Sequence, residues 1–250
     1  MQPLFEFLLR QGDNTLILGQ RLSEWCGKAP ALEEDIALAN TALDLIGQTQ
    51  LWLNLASEVE GQNRDANQLA YFRDAWDFRN ILMVETPNCD YGFTLMRQYL
   101  FDSYQVLWLT ELVNSSDSRV AAIAEKSVKE AHYHLERSRD IVIALGDGTL
   151  HSQNIMQGAL DNLWPYSAEM FTSDATDIEM ANRAIAPNPT TLQSVWERTV
   201  RADLQQTNLT LPATDFVHLG GKDGVRHTEH LGHLLSTMQV LQRSYPGANW

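Results

Sequence analysis

Residues 129–137 read KEAHYHLER, the middle of a stretch from about Arg119 to Leu145 whose apolar residues return every three to four positions, as in an amphipathic helix. On that period Val120, Ser127, Ala131, His134, Ile141 and Leu145 share one stripe, so His134 points the same way as the apolar residues. A histidine on an inward stripe needs a hydrogen-bond partner or a metal ion. The residue three before His134 is Ala131, and the residue three before His132 is Lys129. Neither supplies the carboxylate of a Glu-x-x-His pair. The other histidines (His151, His218, His227, His230 and His233) have none either. Asp215, three before His218, comes nearest, in a Pro- and Thr-flanked stretch that does not read as helix.

The helical period continues outward from this stretch in both directions, and alternating strand patterns are absent. A first helix is expected from about Leu4 to Trp25, stopping at Gly27 and Pro30. A second begins near Glu33, where Glu33, Glu34 and Asp35 suit a helix N-terminus, and runs to about Gly61. A third spans Asn67 to Val84, ahead of Pro87. A fourth runs from Phe93 to Val113 and breaks at the turn signal Asn114 to Asp117. The fifth, which holds KEAHYHLER, ends at Gly146-Asp147-Gly148. Shorter helices are expected over Gln153–Phe171, Ile178–Ala184, Thr190–Gln206 and His227–Arg243. Long helices with short connections favour an antiparallel arrangement. With no repeat, low-complexity tract or long linker, the expectation is one all-α domain over residues 1–250, a bundle of long antiparallel helices with additional shorter ones.

Composition narrows the function. The chain has 250 residues, 44% of them hydrophobic, enough for a substantial core. A net charge of -14 repels nucleic acid and anionic lipid. No segment approaches the roughly 20 apolar residues of a membrane span, and the opening MQPLFEFLLRQGDN has neither a basic region nor a long apolar core, so a soluble cytoplasmic protein is expected. Cys26 and Cys89 are far apart in sequence and have no neighbouring Cys or His, which argues against a disulfide framework or zinc site. The tryptophans, among them Trp52, Trp108 and Trp196, are read as packing residues. No nucleophile elbow or dinucleotide-binding turn is present.

Two groups of residues invite a chemical reading. On the fourth helix Leu95, Tyr99, Asp102, Val106, Leu109 and Val113 form a stripe interrupted by Asp102, and on the second Ala37, Thr41, Asp44, Gln48, Leu51 and Leu55 include Asp44. With His134, three helices each bring one polar group inward. Asp44, Asp102 and His134 have the composition of a single-metal facial triad, and equally that of a hydrogen-bonded core cluster. A di-iron bundle needs a carboxylate from each of two helices and a Glu-x-x-His pair from each of the other two, which Thr41 and Ala131 do not supply. The second group lies in GGKDGVRHTEHLGHLL, residues 220–235. His227, Glu229, His230 and His233 are close in sequence, but a three-residue step drifts about 60° around a helix, so His227 and His233 diverge. Thr228 or a neighbour is expected to cap that helix, and the Gly220-Gly221-Lys222 turn lacks the rest of a phosphate-binding loop.

GDNTLILGQRLSEWCGKAP (12–30), LEEDIALANTALDLIGQTQ (32–50), KEAHYHLERS (129–138) and HTEHLGHLLSTMQVLQRSYPGANW (227–250) closely resemble the C subunits of bacterial phenylacetyl-CoA epoxidase, the PaaC family, and the resemblance runs from end to end. It implies a ferritin-like, noncatalytic structural subunit. Its expected partners are a homologous PaaA-like di-iron catalytic subunit and the other epoxidase subunits. The complex epoxidises the ring of phenylacetyl-CoA with O2 and electrons from NADPH, in aerobic phenylacetate catabolism. Against the catalytic subunit's ligand pattern, Asp102 matches a carboxylate and His134 a histidine. Thr41 and Asp44 fall on the first Glu-x-x-His pair, and Ala131 falls on the glutamate of the second. The resemblance therefore implies no catalytic, cofactor or metal residues in this chain, with the di-iron centre in the partner. The competing readings are a self-sufficient metallo-oxygenase or hydrolase with an Asp/His site, and a helical adaptor unconnected with oxygenation.

Overall fold

Two helices of 29 residues, α2 (Leu32–Glu60) and α6 (Ser118–Gly146), dominate the computed structural model, which describes residues 2–248. All regular structure among the described residues is helical, so the chain is an all-α helical bundle protein. The chain divides into two units, one formed by the segment up to Pro87 with the segment from Leu219 onward, the other by Asn88–His218.

The first unit is built on α1 (Pro3–Ser23) packed along α2. Phe7, Leu8, Ile17, Leu18, Leu45 and Trp52 are fully or almost fully buried in it. The helices approach closely at Gly12, where an added Cβ would lie 2.6 Å from Leu53. At the same level the Thr15 and Thr49 hydroxyls share a 2.8 Å hydrogen bond. α2 ends at Gly61 in the left-handed conformation (φ 67°), which glycine adopts without penalty.

The region expected as one helix over Asn67–Val84 is instead α3 (Ala66–Tyr71), a 3-10 turn (Ala75–Asp77) and α4 (Leu82–Glu85). Side-chain competition for backbone groups breaks it. Asp65 and Gln68 form a capping box at α3, and Asp74 and Asp77 repeat the device at the turn. Asp13 and Asn14 of α1 then accept the backbone N–H groups of Arg79 and Ile81, both at 2.8 Å.

The C-terminal segment completes this unit with α10 (Glu229–Met238) and α11 (Val240–Ser244), replacing the single helix expected from His227. Gly221 is pressed against the backbone of α4's approach, where an added Cβ would sit 2.5 Å from the Asn80 carbonyl. That close approach accounts for a glycine at position 221.

In the second unit α5 (Tyr91–Leu112) is buried on nearly every side and packs against α6 and α7 (Leu150–Phe171). Asp90, Asp117 and Thr149 cap the three helices through side-chain hydrogen bonds. α8 (Ala175–Asn182), a 3-10 turn at Pro189–Thr191 and α9 (Gln193–Leu204) follow. Trp196 on α9 stacks on Trp164 at 5.3 Å and donates its indole N–H to Ser103 Oγ at 2.7 Å. On α6, Ile141 and Leu145 are half-buried. The inward line runs instead through His134, Ser138, Val142 and Gly146, because Thr207 and Leu209 cover the helix end at Gly146. Val113, expected on the α5 stripe, is half-buried just beyond the end of that helix.

Candidate functional site

Asp102 is the most buried carboxylate on the stripes read from the sequence, at 1% exposure in the middle of α5. Gln98, one turn earlier, donates its side-chain N–H to Asp102 Oδ1 at 2.7 Å. Ser138 on α6 donates its hydroxyl to Oδ2 at 2.9 Å. Burial pushes the Asp102 carboxyl up to about 6, against the opposing pull of His134 and of these two hydrogen bonds. His134 lies one turn before Ser138 on the same inward line and is 3% exposed, and Ala131 is buried beside it. The structure thus brings Asp102, Ala131 and His134 into one cluster on the facing sides of α5 and α6.

Thr41 and Asp44 belong to the first unit. Thr41 is buried on the inward line of α2, with Leu38, Leu45, Gln48 and Trp52. Asp44 is only half-buried, one residue before Leu45 on that line, which corrects the expectation that it points inward. Leu51 and Ala37 are half-buried for the same reason.

The histidine-rich segment is also distributed differently from its sequence spacing. His227 precedes α10 and is committed on both ring nitrogens, Nδ1 to Glu85 Oε1 at 2.5 Å and Nε2 to the Phe78 carbonyl at 3.2 Å. Glu229 and His233 are exposed, and the His230 carbonyl accepts from Arg21. Thr228 is the N-cap residue of α10, but its hydroxyl and backbone N–H both donate to Glu85 Oε2 at 2.7 Å. Among the described residues no group of three or more His, Cys, Asp or Glu is placed to hold a metal ion.

Glu85 itself was not visible as a site from the sequence. It is fully buried and takes Asn80 Nδ2 at 2.9 Å in addition to His227 and Thr228, while its carbonyl accepts from Arg21. Two further buried carboxylates, Asp13 and Asp203, were missed. Asp13 pairs with Arg73, Oδ2 to Nη1 at 2.9 Å, and Asp203 accepts from both Tyr99 (2.8 Å) and Arg139 (2.7 Å). Burial and the Asp203 charge hold the Tyr99 phenol protonated, well above its ordinary range. The available signal was an acidic residue inside an apolar run, as in LLRQGDNTLIL and LMVET.

The model of the phenylacetic acid catabolic protein family matches residues 1–250. The chain belongs to that family. Within it, the chain is similar to the C subunit of the 1,2-phenylacetyl-CoA epoxidase of Escherichia coli K12, at 46% identity over 250 residues covering all of both chains. For a phenylacetic acid catabolic protein the question at Asp102 is whether its surroundings fit a di-iron centre. They do not. A methyl group stands at Ala131, and among the described residues no third His, Cys, Asp or Glu is grouped with Asp102 and His134, whereas a di-iron centre takes carboxylates from several helices.

Proposed function

We propose that this chain is the structural C subunit of a 1,2-phenylacetyl-CoA epoxidase, itself noncatalytic, holding a homologous PaaA-like catalytic partner that carries the di-iron centre. The observation that carries this reading is the donor set around Asp102, which is held by Gln98 and Ser138 and faces His134 and the methyl group of Ala131. Hydrogen bonds alone would leave lone pairs for a metal, but the cluster lacks the further carboxylates that a di-iron centre needs, with Ala131 where a glutamate would stand and no third His, Cys, Asp or Glu grouped with Asp102 and His134 among the described residues. Similarity over the full length of an epoxidase component supplies the reaction context. A bundle without working ligands retains the surfaces that once paired it with its copy, and so serves to fix its partner's helices. Its two cysteines are free and exposed, which fits work in the reducing cytoplasm. Among the described residues no helix is long and apolar enough to cross a membrane.

The test is iron content and activity together. Purified alone from iron-supplied cells, the chain is expected to hold negligible iron by elemental mass spectrometry, while omission of it from the co-expressed epoxidase abolishes oxidation of phenylacetyl-CoA. Near-stoichiometric iron in the isolated chain would overturn the noncatalytic assignment. Full activity without the chain would overturn the structural one.

A further inference from the structure

We infer that the outer face of α2 is the docking surface for a different helical subunit of the same epoxidase, one presenting an aliphatic ridge flanked by lysine and arginine. The inference rests on the assembly reading above. Leu32, Ile36, Leu43 and Ile46 are 72%, 53%, 66% and 36% exposed. At 100° per residue they fall within a sector about 80° wide and run along about 21 Å of helix. Single exposed aliphatic residues are ordinary, but an aligned row on one face is an interaction surface. The opposite face of α2 is already used against α1.

Charge selects the occupant. α2 contains Glu33, Glu34, Asp35, Asp44, Glu58 and Glu60 and no lysine or arginine. Asp35, which also accepts the Lys28 and Ala29 backbone N–H groups, borders the ridge on one side, and Glu33 on the other. A second copy of this chain would set the same acidic borders against each other in a two-fold contact, with a net charge of -14 on each copy. A heterologous partner with basic borders meets no such repulsion. Gly47, beside Ile46, adds an independent indication. A mid-helix glycine costs about 1 kcal/mol relative to alanine. The chain's own packing does not require it, since a Cβ there would meet nothing within 4 Å. It leaves room for a partner's backbone to come close.

The experiment uses the full chain, tagged and co-expressed with the other epoxidase subunits, with binding to the purified partner subunits measured by biolayer interferometry. Leu43→Arg is expected to weaken binding by about tenfold or more. Val225→Arg, at a 75% exposed site off this face, is expected to leave it unchanged. Gly47→Ala separates docking from folding, since it should raise the melting temperature of the isolated chain and still weaken binding. Undiminished binding of Leu43→Arg and Gly47→Ala would overturn the docking face while leaving the subunit assignment intact. Failure of the wild-type chain to bind any epoxidase subunit would overturn both. A dimer of the chain alone that Leu43→Arg dissolves would assign the face to a second copy and overturn the heterologous partner.

Discussion

Asp102 is held by two neutral donors in a fully buried position, and its raised pKa has a definite consequence for stability. Unfolded, the carboxyl titrates near 3.8, and folded near 6, so between these values the folded state binds the proton that the unfolded state has lost. Stability therefore falls as pH rises through this window, and above pH 6 the charged group costs the fold about 3 kcal/mol. Asp102→Asn removes the charge and keeps the shape. Its amide N–H also offers a donor to Gln98 Oε1, which is buried without a hydrogen-bond partner. The variant is expected to be more stable than wild type above pH 6, by up to about 3 kcal/mol, with the gain vanishing below pH 4. Urea unfolding across pH 3.5 to 8 (roughly the span of both titrations) measures this, and a pH-independent difference would refute the assignment. Asp102→Ala, in contrast, strands the Gln98 and Ser138 donors around a cavity and should cost about 1–3 kcal/mol relative to Asp102→Asn. Helical period alone found Asp102 and His134. It missed Ser138 because the inward line of α6 steps by four after His134, following the chain that covers Gly146.

Among the elements, the long helices were legible because their apolar period repeats over many turns and their ends carry Asp, Thr or Gly signals. The segment 66–85 was not, since beside its own capping boxes its path depends on Asp13 and Asn14, 66 and 67 residues before the groups they hold. The start of α10 was misjudged for a related reason: His227 and Thr228 are held out of the helix by Glu85. That carboxylate is the attachment point of the C-terminal segment within its unit, assisted by Gln239 Nε2 on the Ala70 and Arg73 carbonyls at 3.2 and 3.0 Å. Glu85→Ala leaves His227, Thr228 and Asn80 without their common partner, at a cost of about 1–3 kcal/mol for each buried polar group left unsatisfied. Because the attachment is local, amide exchange is expected to accelerate most over residues 220–238, before α1 and α2 are affected. Uniform acceleration across the unit, or none, would contradict this role. Tyr99→Phe tests the Asp203 node in the other unit in the same way. Loss of one charge-assisted hydrogen bond there should lower stability by about 1.5–3 kcal/mol, read from the urea midpoint.

At the scale of the molecule, the governing quantity is the net charge of -14. Spread over an all-α surface with few cations, it repels copies of the chain and attracts a basic partner over a distance of about a Debye length. The ridge on α2 is aliphatic, so contact there is insensitive to salt once made, whereas approach to it is driven by the surrounding acids. The two contributions separate kinetically. Raising sodium chloride from about 50 mM to about 500 mM should slow association with the basic-bordered partner by about tenfold and change the dissociation rate far less. Leu43→Arg should act in the opposite sense, accelerating dissociation by exposing the ridge to a desolvated cation while the long-range field remains almost intact. Stopped-flow mixing of the purified subunits resolves both rates. A salt-independent association rate would mean that the acidic borders of α2 play no part in choosing the partner. The apolar row would then have to do so by shape alone.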